Sequence, residues 1–169
     1  ACREKAAELG RRSREFCMDD SGMLTDGPGR CELSQQTQVL GILTGTLSIE
    51  EGRRNLLRTI EDPEITKCTV AMSLYLFRAL EITGLYEHTD QYWNVWRDMI
   101  ANGCTTCVEG ENYARSECHA WGALALYELP STVLGVRPGS PGYETIVVRP
   151  VPGILTHASG TVVTPHGEL

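Results

Sequence analysis

The chain has 169 residues, 41% of them apolar and 22% charged, which suits a single globular domain and excludes a disordered polymer. With 15 basic and 22 acidic residues the net charge is −7, and without a Lys/Arg run there is no electrostatic footprint for nucleic acid or anionic lipid. No apolar run approaches the roughly 20 residues that span a bilayer, and the amino terminus lacks the stages of a secretion signal. Seven cysteines, odd in number and scattered from Cys2 to Cys118, do not form the paired framework of a small secreted domain. They fit a reducing, cytoplasmic setting. The chain begins at Ala1, so the expectation is a processed chain or a piece of a longer one.

Up to about Gly135, apolar residues recur at spacings of three and four and predict helices. The first covers Arg3 to Met18, with Leu9 and Phe16 as its larger apolar members, and Asp26-Gly27-Pro28-Gly29 is a dense turn signal after it. The next covers Leu33 to Leu43. Ser48 with Glu51 three residues later reads as a capping box that opens a helix through Ile60. Pro63 lies in the linker to a helix over Thr69 to Ile82, which is expected to carry Val70, Leu74, Phe77 and Leu80 or their neighbours on one face, with Gly84 as its stop. Tyr86 to Ile100 repeats the pattern, with Trp93, Trp96 and Ile100 on one predicted stripe and Asn102-Gly103 at its end.

After Arg137-Pro138-Gly139 the period changes. Glu144 to Arg149 and Gly160 to Thr164 are β-rich runs between Pro/Gly turns and predict strands. Two short strands are marginal alone and leave pairing edges, so the expectation is that Leu169 falls inside a sheet that continues beyond it.

Thr105 to Trp121 concentrates the reactive residue types. Glu109, Glu111, Arg115, Glu117 and His119 fall in and after a segment that joins two helices, where ionisable residues can become catalytic. Residue types alone admit a blander reading, with solvated glutamates and His119 as a hydrogen-bonded packing residue. Cys104-x-x-Cys107 followed by Cys118-His119 offers half of a zinc site. The second half fails, because neighbours on a helix point about 100° apart. A redox reading fails too, since a thioredoxin-like motif opens a helix after a strand and this one follows a helix and a turn.

Gly103, Thr105, Thr106 and Glu109, then Arg115-Ser116-Glu117-Cys118-His119-Ala120-Trp121, resemble the segment around the catalytic base of bacterial α-L-rhamnosidases, glycoside hydrolase family 78. Val133 to Pro138, Pro141-Gly142-Tyr143 and Gly160 to Gly167 resemble that family's passage from helical barrel to carboxy-terminal β-domain, and Asp26-Gly27-Pro28 with Ser34-Gln35 resembles an earlier hairpin.

The resemblance implies a mainly α fold: the second half of an (α/α)6 barrel over residues 1–138, followed by the first strands of a β-sandwich domain over 139–169. It implies an inverting glycosidase, in which two carboxyl groups roughly 6.5–9.5 Å apart protonate the leaving oxygen and activate water. Glu109 would be the water-activating base and His119 would hold a sugar hydroxyl or the water. Trp121 would pack beneath the loop, and Arg115 and Glu117 would either orient it or form a surface ion pair. The family's general acid belongs to the half of the barrel that precedes this segment, and no Asp-Arg-x-Glu stretch occurs here. The implied partners are a rhamnose-containing glycoside or oligosaccharide and either the amino-terminal half-barrel or a second copy of the chain, with no cofactor and no metal. The competing expectation is a non-catalytic carbohydrate-binding or structural remnant of the barrel.

Overall fold

A computed structural model describes residues 1–110 and 116–169, which form two compact units, Ala1–Leu85 and Tyr86–Leu169. Glu111 and Arg115 lie outside the described residues. The described chain is mainly helical with two small antiparallel sheets. None of the described helices is long and apolar enough to cross a membrane.

In the first unit α1 (Cys2–Cys17) buries no residue, as its charged composition dictates, and Leu9 and Phe16 remain half exposed. A side-chain fork holds it instead. Arg14 donates to both Glu51 carboxylate oxygens, at 2.8 and 2.9 Å, and to the Thr46 carbonyl at 2.9 Å. The Asp26 turn forms where it was expected, and Asp26 accepts from Ser34 Oγ at 2.6 Å and from Thr37 Oγ1. Ser34 in turn caps α2 (Gln35–Leu43), which therefore starts two residues after the predicted point. The capping box is present: Glu51 N–H donates to Ser48 Oγ and Ser48 N–H to the Glu51 carboxylate, opening α3 (Ile49–Glu61).

A 3-10 turn, Val70–Met72, leads into α4 (Ser73–Ile82). Its buried side holds Ser73, Leu76, Phe77, Ala79 and Leu80, with Leu74 at its edge, 40% exposed. The 3-10 turn changes the winding before Ser73, so the helical period does not run unbroken from Val70. Gly84 ends the helix at φ +67°, a conformation glycine adopts without a Cβ penalty.

The core of this unit also contains amides. Gln38 exchanges hydrogen bonds with the backbone of Leu24, accepting its N–H at 3.1 Å and donating to its carbonyl at 2.6 Å. Asn55 donates to Gln38 at 3.1 Å and to the Gly22 carbonyl at 2.9 Å. Gln35 donates to Thr59 Oγ1 and accepts the Cys68 N–H, both at 3.1 Å. These buried side chains satisfy loop backbone that would otherwise lose its hydrogen bonds to water. Burial pushes the Cys68 thiol up to about 12, which keeps it protonated and unreactive.

In the second unit the predicted Tyr86 to Ile100 helix is three pieces: a 3-10 turn Tyr86–His88, α5 (Thr89–Tyr92) and α6 (Asn94–Ala101). Trp96 and Met99 are buried, while Ile100 is 79% exposed, contrary to the expected stripe. A second 3-10 turn, Ala120–Ala123, opens α7 (Leu124–Glu128), which widens into a π turn over Leu129–Val133. Pro130 explains the widening, because it lacks the N–H of an α-helical bond and its ring crowds the preceding turn.

Four short strands follow. β1 (Val136–Pro138) pairs antiparallel with β2 (Ile146–Val148), Val136 opposite Val148. β3 (Val163–Thr164) pairs with β4 (Gly167–Glu168), Val163 opposite Glu168. Of these, β2 and β3 fall within the predicted runs, and β1 and β4 are their partners.

Candidate active site

Residues 106–109 and 116–119 pair with each other as a stem. Glu109 N–H donates to the Ser116 carbonyl at 2.9 Å and His119 N–H to the Cys107 carbonyl at 2.8 Å. Thr106 Oγ1 closes the stem on the Glu117 carbonyl. Between these bonds Val108 is fully buried and anchors the segment that carries Glu109. Opposite it lies Gly122, where a Cβ would come 2.7 Å from both the Cys107 Cβ and the Val108 carbonyl oxygen. Glycine is therefore required by close approach. Buried Trp96 fixes this turn from the core, its indole N–H donating to the Gly122 carbonyl at 2.7 Å.

On this stem Glu109 Oε1 and His119 Nε2 stand 4.0 Å apart, with side chains 16% and 27% exposed respectively. That separation is an ion pair when His119 is protonated and is too long for a direct hydrogen bond. His119 Nδ1 is buried and has no hydrogen-bond partner among the described residues. Trp121 touches both: its indole N–H donates to the Glu109 carbonyl at 2.9 Å, and its ring lies 4.0 Å from the His119 ring, tilted by 40°.

Of the predicted site residues, the fold thus brings Glu109, His119 and Trp121 together. The Glu117 side chain is exposed, and its contribution is the backbone carbonyl that Thr106 meets. Val108, Gly122 and Trp96 build the site without having been predicted in it. The only signal for them in the sequence is the short distance of Gly122 from His119.

Among the described residues no three His, Cys, Asp or Glu side chains are placed to hold a metal ion, and all seven cysteines are free thiols. Cys118 and His119 lie ahead of the 3-10 turn and outside any helix, with His119 extended at φ −126° and ψ 127°. The helical-angle argument against a zinc pair does not apply to them.

Glu109 and His119 thus lie on a stem between helices, ahead of two β-hairpins. Residues 135–169 match the family model for the bacterial alpha-L-rhamnosidase C-terminal domain. The fold matches that of a GH78 family rhamnosidase of Bacillus sp. GL1 with a TM-score of 0.79 and 28% identity, over 94% of this chain and 19% of that one. No curated protein matches the sequence. The chain is related to the rhamnosidases of glycoside hydrolase family 78, and it spans about a fifth of the solved protein, with 19% covered.

Proposed function

We propose that the chain is the carboxy-terminal half of the catalytic (α/α)6 barrel of an α-L-rhamnosidase, residues 1–138, joined to the start of the following β-domain, residues 139–169. The observation that carries this reading is the Glu109–His119 pair, 4.0 Å apart on a stem between helices, within a fold that matches a family 78 rhamnosidase. Exposed Leu74, Tyr75 and Ile82 on α4 support a completing partner surface on the first unit.

In the proposed reaction Glu109 accepts a proton from a water molecule as its oxygen attacks the anomeric carbon. The bond to the leaving oxygen breaks on the opposite face, and that oxygen takes a proton from an acid supplied by the amino-terminal half. Rhamnose leaves with inverted configuration. In this proposal His119, whose Nε2 is 4.0 Å from Glu109 Oε1, holds the attacking water or a sugar hydroxyl. The substrate is a terminal α-L-rhamnoside.

The test uses the protein that carries the completing half. Glu109→Gln keeps the shape and hydrogen-bonding capacity of the side chain but removes the proton acceptor. Turnover of an aryl α-L-rhamnoside is expected to fall about 10²–10⁴-fold, the usual worth of a general base, while substrate binding survives. His119→Ala is expected to raise KM more than it lowers kcat, and Glu117→Gln, altering an exposed side chain, to change neither. Equal losses in all three, tracking stability, would mean that the stem is structural and the chain a non-catalytic remnant.

A further inference from the structure

Within the Tyr86–Leu169 unit, apart from the stem, the chain surrounds an open-mouthed cavity of about 280 Å³. Four segments wall it: Tyr86 to Ile100, α7, the π turn and the turn at residues 152–155. Trp93, Trp96, Leu129, Val133, Ile154 and Leu155 line it. Trp96 and Val133 are buried and form its inner part, while Leu129, Ile154 and Leu155 are about half exposed and form its mouth. The walls are tied together. Val151 N–H donates to the Thr132 carbonyl at 2.9 Å and Leu155 N–H to the Pro152 carbonyl at 3.1 Å, so the space is preformed, as ligand pockets usually are.

Polar groups that border the cavity are engaged with the chain itself. Thr89 Oγ1 donates to the Tyr86 carbonyl and the Tyr86 hydroxyl to the Glu128 carboxylate, both at 2.7 Å. The Trp96 indole N–H is bonded to the Gly122 carbonyl. Arg97 donates to the Asp90 carbonyl at 2.9 Å, to Asn94 Oδ1 at 2.8 Å and to the Asp90 carboxylate, so the acid and base at the edge neutralise each other. Water in such a space finds few of the polar partners that hold it in place, and an apolar molecule displaces it at a gain. The shape adds a second constraint. The Trp93 and Trp96 rings, 5.2 Å apart and inclined at 65°, make a corner in which a flat ring lies against one and meets the other steeply tilted, a favoured aromatic geometry. A dry apolar cavity of about 150 Å³ takes one benzene, and the larger space here takes two fused rings.

We propose that this cavity is a binding site for a neutral, flat aromatic molecule of two fused rings, held by burial against Trp93 and Trp96 rather than by charge. The flat surface of a protein partner would leave a space walled by four segments unfilled, whereas a small molecule fills it. The site is independent of the role of Glu109. It adjoins the stem through Trp96, which lines the cavity and holds Gly122.

The experiment titrates naphthalene into the unsubstituted 169-residue chain and follows side-chain methyl groups by magnetic resonance. The expected result is one-to-one saturation with shifts at Leu129, Val133, Ile154 and Leu155, while Leu126 and Val163, exposed and outside the cavity, stay unmoved. 2-Naphthoate carries a similar ring system with a carboxylate that must lose its water beside groups already paired, so it is expected to bind at least about tenfold more weakly. Ala125→Leu adds bulk to the cavity wall and is expected to weaken naphthalene binding about tenfold, with the far-UV circular dichroism unchanged. No saturation within the solubility of naphthalene, equal shifts at Leu126 and Val163, or tighter binding of 2-naphthoate would overturn the proposal. Movement of the four lining methyl groups on raising the protein concentration without naphthalene would also overturn it, since a second copy of the chain would then fill the cavity. Each of these results leaves the reading of Glu109 as it stands.

Discussion

In the Ala1–Leu85 unit the helices run from nine to 16 residues, and buried amides such as Gln38 and Asn55 tie the intervening loops to them. In the Tyr86–Leu169 unit the α-helices run from four to eight residues, linked by 3-10 turns and a π turn. The Glu109–His119 pair lies in this second, irregular unit, on a stem closed by the Glu109–Ser116, His119–Cys107 and Thr106–Glu117 hydrogen bonds and joined by single bonds from Trp96 and Trp121. Long helices distribute their stability over many equivalent contacts, so any one bond matters little to the shape. A short stem concentrates its geometry in a few bonds, which lets it aim a carboxylate and also makes it easy to disturb.

The largest expected effect breaks the regular side. Phe77 is fully buried, and Phe77→Ala is expected to cost about 3–5 kcal/mol through lost burial and the cavity left behind, read by urea unfolding followed by far-UV circular dichroism. A loss below about 1 kcal/mol would mean that the site collapses around the deletion.

On the irregular side, Gly122→Ala places a methyl group 2.7 Å from the Val108 carbonyl oxygen, which belongs to backbone and cannot swing aside. The expected cost is about 1–3 kcal/mol, as for other overpacked sites. Trp93, Trp96 and Trp121 are the three tryptophans of the chain and all belong to this unit, so tryptophan fluorescence reads the change. The same substitution is expected to displace Glu109, whereas Phe77→Ala tests burial alone.

The smallest effect is electrostatic. The Arg14 guanidinium, helped by the Ser48 N–H, holds the Glu51 carboxyl down to about 2. Glu51 ionises more readily in the folded chain than at its ordinary 4.5, so its contribution is present above pH 4.5 and fades as pH falls from there toward 2. The side chains are 42% and 26% exposed, and solvent screening limits the pair to about 1 kcal/mol. Glu51→Gln is expected to flatten the stability profile between those two pH values. An unchanged profile would show that the fork adds nothing.

The same contrast explains what could be read before the fold was known. The Ser48–Glu51 box, the Gly84 stop and the span of α3 follow from local rules that need no tertiary partner. Leu74 and Ile100 are exposed although each shares one unbroken helix with buried members of its stripe, because periodicity marks a face but not which edge of that face the rest of the fold covers. Strand β1 is three residues ending in Pro138 and is stabilised by pairing with β2, so its own sequence has no alternating pattern to read. The amide core of the first unit was invisible for a related reason: Gln35, Gln38 and Asn55 look like surface residues until the loops that need their hydrogen bonds are in place. Glu109, His119 and Trp121 were legible through the family resemblance, whereas Val108, Gly122 and Trp96 act through contacts that spacing does not encode.

The central claim is that Glu109 activates water, and the most direct measurement is product analysis of Glu109→Gln in the enzyme carrying the completing half, with azide supplied. Azide needs no proton removed, so it can replace the water that Glu109 no longer activates. The expected result is slow turnover without azide, faster turnover with it, and a rhamnosyl azide of inverted configuration. Near-normal turnover without azide, or an azide product of retained configuration, would contradict the claim.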